Sequence, residues 1–407
     1  MRGLRNAPMQ AGGFNATPQP TAPVGSEPVY LDYNATTPID PAVLEAMLPY
    51  LREHFGNPSS QHAYGRRAHE PVERAREHAA RSIGARPDEV VFTSGGTEAT
   101  NHAIKGAVFA AFERGQIGQQ VVISAVEHPA TQESARFVER LGFKRVVVGV
   151  DRHGVVDLDA MDRALRAPTL LVSIMHANNE TGSLQPVAEI ARLARGSGAL
   201  MHVDAAQSAA KIRVDVGELG ADLLTLAGHK MYAPKGVGAL FVRRGVGLEP
   251  LIHGAGHESG RRAGTENVPY IVGLGEACRI AHADLPETGA RLKRLRDRLW
   301  SGLQAGLGAK VVLNGHPEQR LPNTLNVSFL GVIGSELLEA IPEIAASTGS
   351  ACHEGQVSIS PVLAAMGLDP LVARGAVRLS VGRYTTEAEV DRAARLLIER
   401  ARAAQAR

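Results

Sequence analysis

Short apolar runs alternate with stretches of helical pattern from Val90 onward. Seven runs predict β-strands, and they cover residues 90–94, 120–128, 145–150, 169–178, 199–206, 222–230 and 238–244. The runs are continuously apolar rather than alternating, which is typical of strands buried on both faces. Because helical stretches separate most of them, the pattern predicts an α/β domain over about residues 41–280, with a mostly parallel sheet covered by helices on both sides.

A second mixed pattern begins near Val311 and continues to the C-terminus. It follows a helical stretch at 287–307, contains strand candidates at 325–330 and 376–382, and ends in a helical pattern at 386–405. These elements predict a smaller α+β domain. We therefore expect a disordered tail over 1–27, a large domain over 28–280 whose segment 28–40 contributes to the small domain, and a small C-terminal domain over 281–407.

The composition limits the classes of function. With 44% hydrophobic and 21% charged residues the chain is typical of a soluble globular protein, and its formal charge of +2 favours neither a nucleic-acid partner nor an anionic membrane. No apolar run approaches the length of a membrane span, about eighteen residues. The N-terminal region lacks the apolar core of a secretion signal, so we expect a cytoplasmic protein.

Polar residues collect where five of the predicted strands end. These groups are Ser94–Thr97, Glu127–His128, Asn178–Glu180, Asp204–Gln207 and His229–Lys230. In parallel α/β sheets, ligands bind beyond the carboxyl ends of the strands. One such group could be ordinary loop chemistry, but five at one edge of a sheet predict a functional site.

Three of these groups offer chemistry that suits one cofactor. The segment TSGGTEATN turns from a strand into a helix, so N–H groups near Gly96 and the Thr97 hydroxyl could bind an anion, although an ordinary helix N-cap has the same pattern. Lys230 follows an apolar strand, where desolvation would lower its pKa and make it a nucleophile, although a strand-end lysine often extends to solvent. Asp204 ends another apolar strand, where a carboxylate needs a cationic partner. An anion cradle, a buried lysine and a carboxylate for a ring nitrogen are what pyridoxal phosphate requires.

Two cysteines, Cys278 and Cys352, are too few and too far apart for a disulfide framework. Cys278 lies in an apolar helical pattern and is expected to be a buried, inert thiol. Cys352 lies in the loop-like segment STGSACHEGQ, which by itself fits an incidental surface thiol as well as a reactive one. The pair His253 and His257 has i, i+4 spacing, but its glycine-rich context disfavours a helix and offers no third ligand, so no metal site is predicted.

Ten segments resemble, in order along the chain, those of the cysteine desulfurases and the closely similar selenocysteine lyases, in the class V aminotransferase group of fold-type I pyridoxal-phosphate enzymes. They are YLDYNATTPIDP, FGNPSSQHAYGR, FTSGGTEATN, EHPA, ANNETG, HVDAAQS, GHKMYAPKGVGAL, RRAGTENVP, STGSACHEG and VRLSVGRYTT. The resemblance implies a fold-type I architecture with pyridoxal 5'-phosphate bound in the large domain. It also implies conversion of L-cysteine to L-alanine, with transfer of the sulfur to a loop cysteine as a persulfide and delivery to an acceptor protein in Fe–S cluster or thio-cofactor biosynthesis.

The resemblance further implies the roles of individual residues. Lys230 forms the covalent link to the cofactor and takes the substrate α-proton, His128 stacks on the cofactor ring and assists proton transfer, and Cys352 attacks the substrate sulfur. For the cofactor ring, the implied binding residues are Asp204 at the pyridine nitrogen and Gln207 and Asn179 at the phenolic oxygen side. Gly96, Thr97 and His229 are implied to bind the phosphate, and Thr265 the phosphate of the partner subunit in a homodimer. Arg378, with the nearby Asn34, is implied to bind the substrate carboxylate.

Some features leave alternatives open. Ala227 stands where many desulfurases have a serine that binds the phosphate, and the segments after Cys352 resemble selenocysteine lyases more than housekeeping desulfurases. Release of selenium from L-selenocysteine is therefore the alternative activity. A plain transaminase or another lyase has no need of STGSAC, and an inactive binding platform would be expected to lose Lys230 or Cys352, both of which are present. A Rossmann protein is disfavoured because its glycine fingerprint is absent.

Overall fold

The structure of the chain, a computed structural model, describes residues 27–348, 352–353, 356–357 and 359–406. The predicted tail lies outside these residues except for its last position, as do the side chains of residues 349–358. The strands are β1 Val29–Tyr30, β2 Val90–Thr93, β3 Gln120–Ser124, β4 Lys144–Val148, β5 Thr169–Met175, β6 Leu200–Asp204, β7 Leu223–Ala227, β8 Gly238–Val242, β9 Val311–Asn314, β10 Thr324–Phe329, β11 Ile344–Ala345, β12 Cys352–His353, β13 Gln356–Val357 and β14 Ala376–Ser380.

Helices connect most of these strands. They are α1 Pro41–Arg52, α2 Ala63–Ser82, α3 Gly96–Glu113, α4 Pro129–Val138, α5 Leu158–Ala164, α6 Val187–Gly196, α7 Val216–Leu219, α8 Val268–Leu307, α9 Gly334–Glu339, α10 Pro361–Ala365, α11 Pro370–Arg374 and α12 Glu387–Gln405. Among the residues described, none of these helices is long and apolar enough to cross a membrane.

The large sheet confirms the predicted α/β fold. Its strand order is β2-β8-β7-β6-β5-β3-β4. The pairs from β7 through β4 are parallel, whereas β8 runs antiparallel to both β7 and β2. All seven strands begin within one residue of the apolar runs that predict them. The strands are shorter than several of those runs, so the polar residues at the ends of the runs lie in loops beyond the sheet.

Both faces of this sheet are covered by apolar side chains. Successive residues of one strand enter different clusters: Val121 and Ile123 pack with α3 and α4, whereas Val122 packs on the other face in a cluster that includes residues of α2, α6 and α8. This alternation follows from the two-residue side-chain period of a strand. It explains why the runs are apolar at every position.

The C-terminal part forms a second, smaller sheet with strand order β14-β10-β9, antiparallel throughout. A separate apolar cluster holds it together, and this cluster includes Val29 and Leu31 from the N-terminal segment. The long helix α8 packs its first half on the large-sheet cluster and its second half, from Leu292 onward, on the small one. The predicted boundary at residue 280 falls inside α8, and the division into domains stays a prediction.

A buried ion pair fixes the loop between β8 and α8. Arg76 on α2 donates from both terminal nitrogens to Glu258, at 2.7 and 2.9 Å, and the N–H of Phe92 on β2 donates to the same carboxylate at 2.9 Å. Glu258 and Ser259 are held at positive φ of 50° and 58°, which non-glycine residues rarely adopt. The pair therefore secures a strained loop that also carries Thr265.

We expect Glu258→Gln to lower the free energy of unfolding by about 3 kcal/mol, because the substitution leaves the buried Arg76 guanidinium with only the partly exposed Glu73, 3.1 Å from its Nε, as a counter-charge. Urea unfolding of the cofactor-free protein measures this as a lower midpoint. The matched control is Asp162→Asn, which removes an ion pair whose side chains, on Arg166 and Asp162, are 75% and 51% exposed; such pairs contribute little. An equal fall in both variants would contradict the assignment.

Candidate active site

A cavity of about 650 Å³ lies beyond the carboxyl ends of the large sheet. The predicted site residues that line it are Asn34, Gly96, Thr97, His128, Asn179, Asp204, Gln207, His229, Lys230 and Arg378. They come from positions up to 344 residues apart in sequence, from Asn34 to Arg378. The sheet brings them together because the parallel strands β3, β5, β6 and β7 all end at this edge.

The N-terminus of α3 forms one end of the cavity. Gly95 precedes the helix at a φ of 153°, a conformation that favours glycine, and as the N-cap residue it has no side chain to cap the first N–H groups. A helix N-terminus attracts anions because its free N–H groups and its dipole are both positive there. The Thr97 hydroxyl lies in the same first turn. This end of the cavity therefore suits a phosphate.

Lys230 ends the short 3₁₀ turn Gly228–Lys230 that directly follows β7. Gly228 permits this turn because a Cβ there would lie 2.8 Å from the carbonyl oxygen of Val237. Burial lowers the pKa of Lys230, and the nearby Arg378 cation lowers it further, while the Asp204 carboxylate opposes the shift. The lysine thus has the neutral amine, the nucleophilic form, at lower pH than an exposed lysine.

His229 precedes Lys230 on the same turn and lies near three cations. Burial and the charges of Lys230, Lys235 and Lys211 lower the pKa of His229 to about 4. Its Nδ1 lies 3.2 Å from the hydroxyl of Thr36. The imidazole is therefore neutral at physiological pH and can serve as a hydrogen-bond donor to an anion.

Asp204 and His128 face the cavity from β6 and from the start of α4. Asp204 is 8% exposed, and its Oδ1 accepts a hydrogen bond from the N–H of Ala206 at 2.9 Å. His128 caps α4, and its Nδ1 accepts from the N–H of Ala130 at 3.1 Å, so in the neutral ring the proton is on Nε2. Burial lowers the pKa of His128, as does the charge of Lys230.

A network of amide side chains forms the floor of the cavity. Gln207 donates from Nε2 to the carbonyl oxygen of Asn34 at 2.9 Å. The side chain of Asn34 donates to the carbonyl oxygen of Asn179 and to the Thr324 hydroxyl, and its Oδ1 accepts from Asn323 and from Lys211. These four bonds use the two N–H groups and both lone pairs of the Asn34 amide. A direct bond from Asn34 to a substrate carboxylate would have to replace one of them.

Arg378, on β14 of the small sheet, reaches the cavity as a buried cation. Its guanidinium donates to Asp32 at 2.8 Å and to the carbonyl oxygen of Asn179 at 3.1 Å. Its Nε is buried and has no hydrogen-bond partner in the part of the chain that the structure describes. The two terminal nitrogens each have a second N–H beyond these bonds, and Arg378 lines the cavity. Arg378 can therefore donate to an anionic ligand there.

Two predicted residues do not join this set. Thr265 lies in an exposed loop before α8, outside the residues that line the cavity, so its predicted contact with a partner subunit stays a prediction. Cys352 lies on β12, which pairs with β13, but its side chain lies outside the described part of the chain. Cys278 is buried on α8, and burial raises the pKa of its thiol to about 12, as expected for an inert cysteine.

The cavity fits pyridoxal phosphate. The start of α3 suits the phosphate, the second oxygen of Asp204 suits a protonated ring nitrogen, and Lys230 provides an amine in the same cavity. Among the described residues, which include His253 and His257, no cluster of three or more potential metal ligands occurs.

Two features of the site were not predicted from the sequence. Lys211 lies buried beneath the cavity and bonds to Gln207, and Asp32 pairs with Arg378. The signal for Lys211 was a lone lysine in SAAKI, a segment of small and apolar residues just past a sheet edge. Asp32 lies in the quoted segment YLDYNATTPIDP, but its partner is 346 residues away, and no local pattern indicates such a pairing.

Comparisons with known proteins agree with this geometry. The family model described as "Aminotransferase class-V" matches residues 29–393. A curated "Cysteine desulfurase IscS" from Anaeromyxobacter sp. (strain Fw109-5) is 48% identical over 378 residues, covering 92% of this chain and 93% of the relative. A solved structure titled "NIFS-LIKE PROTEIN" superposes with a TM-score of 0.85 at 40% identity, covering 91% of this chain and 98% of that one. One titled "SspA in complex with cysteine" has a TM-score of 0.77 at 35% identity, covering 88% and 99%.

Proposed function

The chain belongs to the cysteine desulfurase family of class V aminotransferases, whose members depend on pyridoxal phosphate, and we propose that it transfers the sulfur of L-cysteine to Cys352 as a persulfide. The observation that carries the proposal is that Lys230, Asp204 and the uncapped start of α3 line the same cavity as the partly unpaired Arg378. The name of the solved relative bound to cysteine supports this substrate class.

In this proposal the protein holds the cofactor by its two polar ends. The N–H groups at Gly96 and Thr97, with the neutral His229, bind the phosphate, and Asp204 stabilises the proton on the ring nitrogen. Gln207 and Asn179 bind the side that carries the phenolic oxygen, and Thr265 contributes from the partner of a homodimer. When bound, the cofactor supplies an electron sink that makes the substrate α-proton acidic and labilises the bond to its sulfur.

The residues of the chain then move protons and bind the substrate. The amine of Lys230, whose pKa is lowered, takes the α-proton. His128 lines the same cavity with its proton on Nε2. It can therefore stack on the cofactor ring and deliver a proton to the three-carbon skeleton that remains once the sulfur has been transferred. Arg378 binds the substrate carboxylate through the guanidinium.

Cys352 is the sulfur acceptor of the reaction. Its thiolate attacks the substrate sulfur, a new S–S bond forms, and the carbon–sulfur bond breaks with its electron pair left on the three-carbon skeleton. Protonation of that skeleton gives L-alanine, and Cys352 retains the sulfur as a persulfide for an acceptor protein. The two flanks of this loop are joined to the cavity: Ser347 pairs with the backbone of Arg378, and Ser360 donates to Glu180, the neighbour of Asn179.

The test compares wild type with Cys352→Ala and Cys278→Ala, a matched pair that removes one thiol each. Each protein is given L-cysteine or L-selenocysteine, and alanine, sulfide and selenide are quantified together with the visible absorbance of the cofactor. We expect alanine from L-cysteine in wild type and in Cys278→Ala, and its loss in Cys352→Ala. Alanine from L-selenocysteine alone, unaffected by Cys352→Ala, would instead identify a selenocysteine lyase.

Ala227 offers a further prediction at the phosphate end. It is 2% exposed, lines the cavity and lies against Gly96, since a Cβ on that glycine would be 3.1 Å from the Ala227 Cβ. We expect Ala227→Ser to tighten cofactor binding by about 10-fold, because a hydrogen bond to a charged group contributes about 1.5–3 kcal/mol. Titration of the cofactor-free protein with pyridoxal phosphate measures the change; Ala227→Val, which adds bulk without a hydroxyl, should weaken binding.

A further inference from the structure

Lys211 is a buried lysine just outside the cavity. It is 6% exposed, and among the residues that the structure describes it bonds to two amide oxygens, Oε1 of Gln207 at 2.8 Å and Oδ1 of Asn34 at 3.3 Å. Neither partner carries a negative charge. Burial lowers the pKa of Lys211 well below its ordinary value, and the cations of Lys230 and Arg378 lower it further. A buried lysine without a carboxylate partner reduces stability, so its presence is not explained by the needs of the fold.

The backbone before Lys211 is also unfavourable. Ala210 adopts a φ of 64°, in the left-handed region that alanine rarely occupies. The turn that contains it begins directly after Asp204 and includes Gln207. Strain that the surrounding structure maintains often accompanies a functional constraint. Here it occurs at the residue immediately before the lysine whose side chain contacts Gln207.

The two partners of the Gln207 amide determine its orientation. Oε1 of Gln207 lies 2.8 Å from Nζ of Lys211, which donates to it. The carbonyl oxygen of Asn34 is only an acceptor, so the atom that faces it, at 2.9 Å, is the nitrogen. An amide nitrogen has two N–H groups, and the bond to Asn34 uses one. Gln207 lines the cavity, so the other N–H is available to a ligand there.

We propose that Lys211 is a positioning residue that holds the Gln207 amide with its nitrogen toward the cavity, so that Gln207 donates to the ring oxygen of pyridoxal phosphate. Without Lys211 only the bond to the Asn34 carbonyl oxygen opposes a half-turn of the amide, after which the Gln207 oxygen would face the ring oxygen as a second acceptor. Lys211 also donates to the side chain of Asn34, the residue whose backbone carbonyl oxygen accepts from Gln207, so one lysine contacts both residues of the orienting network. The inference rests on the proposed function for the identity of the cofactor.

The experiment measures cofactor selectivity rather than turnover. Cofactor-free wild type, Lys211→Met and Gln207→Leu are titrated with pyridoxal phosphate and with an analogue that lacks only the ring hydroxyl. We expect wild type to bind pyridoxal phosphate about 10-fold more tightly than the analogue, the value of one hydrogen bond to a charged oxygen. We expect both variants to lose most of this preference, and the double variant to lose no more than Gln207→Leu alone.

Two outcomes would overturn the inference: an undiminished preference for pyridoxal phosphate in Lys211→Met, or additive losses in the double variant, which would mean that Lys211 does not act through Gln207. A weakening of both ligands by the same factor would indicate a purely structural role and would also overturn it. If Lys211→Met does not fold, Lys211→Gln tests the same point, because an amide can present either its oxygen or its nitrogen to Gln207 and so does not fix the orientation; this variant should also lose most of the preference, and an undiminished preference in it would overturn the inference. A wild type that shows the preference but forms no alanine from L-cysteine would refute the proposed function and not this inference.

Discussion

Replacement of Lys230 by alanine is expected to lower the rate of L-alanine formation from L-cysteine by about 10⁴-fold, the upper end of what one acid–base group contributes. The reason is the position of the amine on the turn after β7, in the cavity shared with Asp204 and the start of α3. Its lowered pKa makes the neutral form, which can take a proton, available at lower pH than in an exposed lysine. The measurement is single-turnover alanine formation after the variant has been loaded with cofactor.

Lys230→Arg separates the chemistry of the amine from its charge. Arginine keeps a cation near Asp204, but it does not deprotonate in proteins and is a poor nucleophile. We therefore expect the arginine variant to lose activity as completely as the alanine variant. Partial rescue of Lys230→Ala by methylamine, absent in Lys230→Arg, would further support the acid–base role. An active arginine variant would show that the site needs only positive charge at this position.

The sheet was predictable because its determinants are local. Each of β2 to β8 is an apolar run bounded by polar or glycine-containing segments, and burial on both faces makes the run continuous. The clustering of the site followed from the same topology, because residues that end parallel strands lie at one edge. His128, Asp204 and Lys230 were placed in this way. The residue roles came from the resemblance to a family, since a strand-end lysine or histidine alone has several interpretations.

The contacts that tune the site could not be predicted, because they join residues far apart in sequence. Asn34 forms hydrogen bonds with residues as distant in sequence as Asn179 and Asn323. The sequence therefore predicts that Asn34 lies near the substrate, but not that its side-chain amide is already fully hydrogen-bonded within the protein. Lys211 stands out in the sequence as a lone lysine among small and apolar residues, but nothing in the sequence indicates that it is buried or which residues it contacts. The short strand β9 was also missed, because four residues of partly exposed sheet edge carry little periodicity.

Arg378→Lys is expected to raise the KM for L-cysteine by about 100-fold with a smaller change in kcat. The guanidinium donates to Asp32 and to the carbonyl oxygen of Asn179, and each of the two terminal nitrogens has a second N–H for a ligand in the cavity. A lysine keeps the charge but loses the planar arrangement of donors, and one hydrogen-bonded carboxylate is worth about that factor. Steady-state kinetics over a range of L-cysteine concentrations measures the effect, and an increase in KM with kcat preserved indicates loss of substrate binding rather than of chemistry.

Arg378→Met adds a second, independent readout through pH. The Arg378 cation is one of the causes that lower the pKa of Lys230, so removal of the charge raises that pKa. Uptake of pyridoxal phosphate by the cofactor-free protein requires the neutral amine, so its rate should reach its plateau at higher pH in Arg378→Met than in wild type. In Arg378→Lys the charge remains and the pH profile should be unchanged although the KM has risen. If both variants shifted the profile equally, Arg378 would act on Lys230 through packing rather than charge, because only the methionine variant alters the electrostatics of the site.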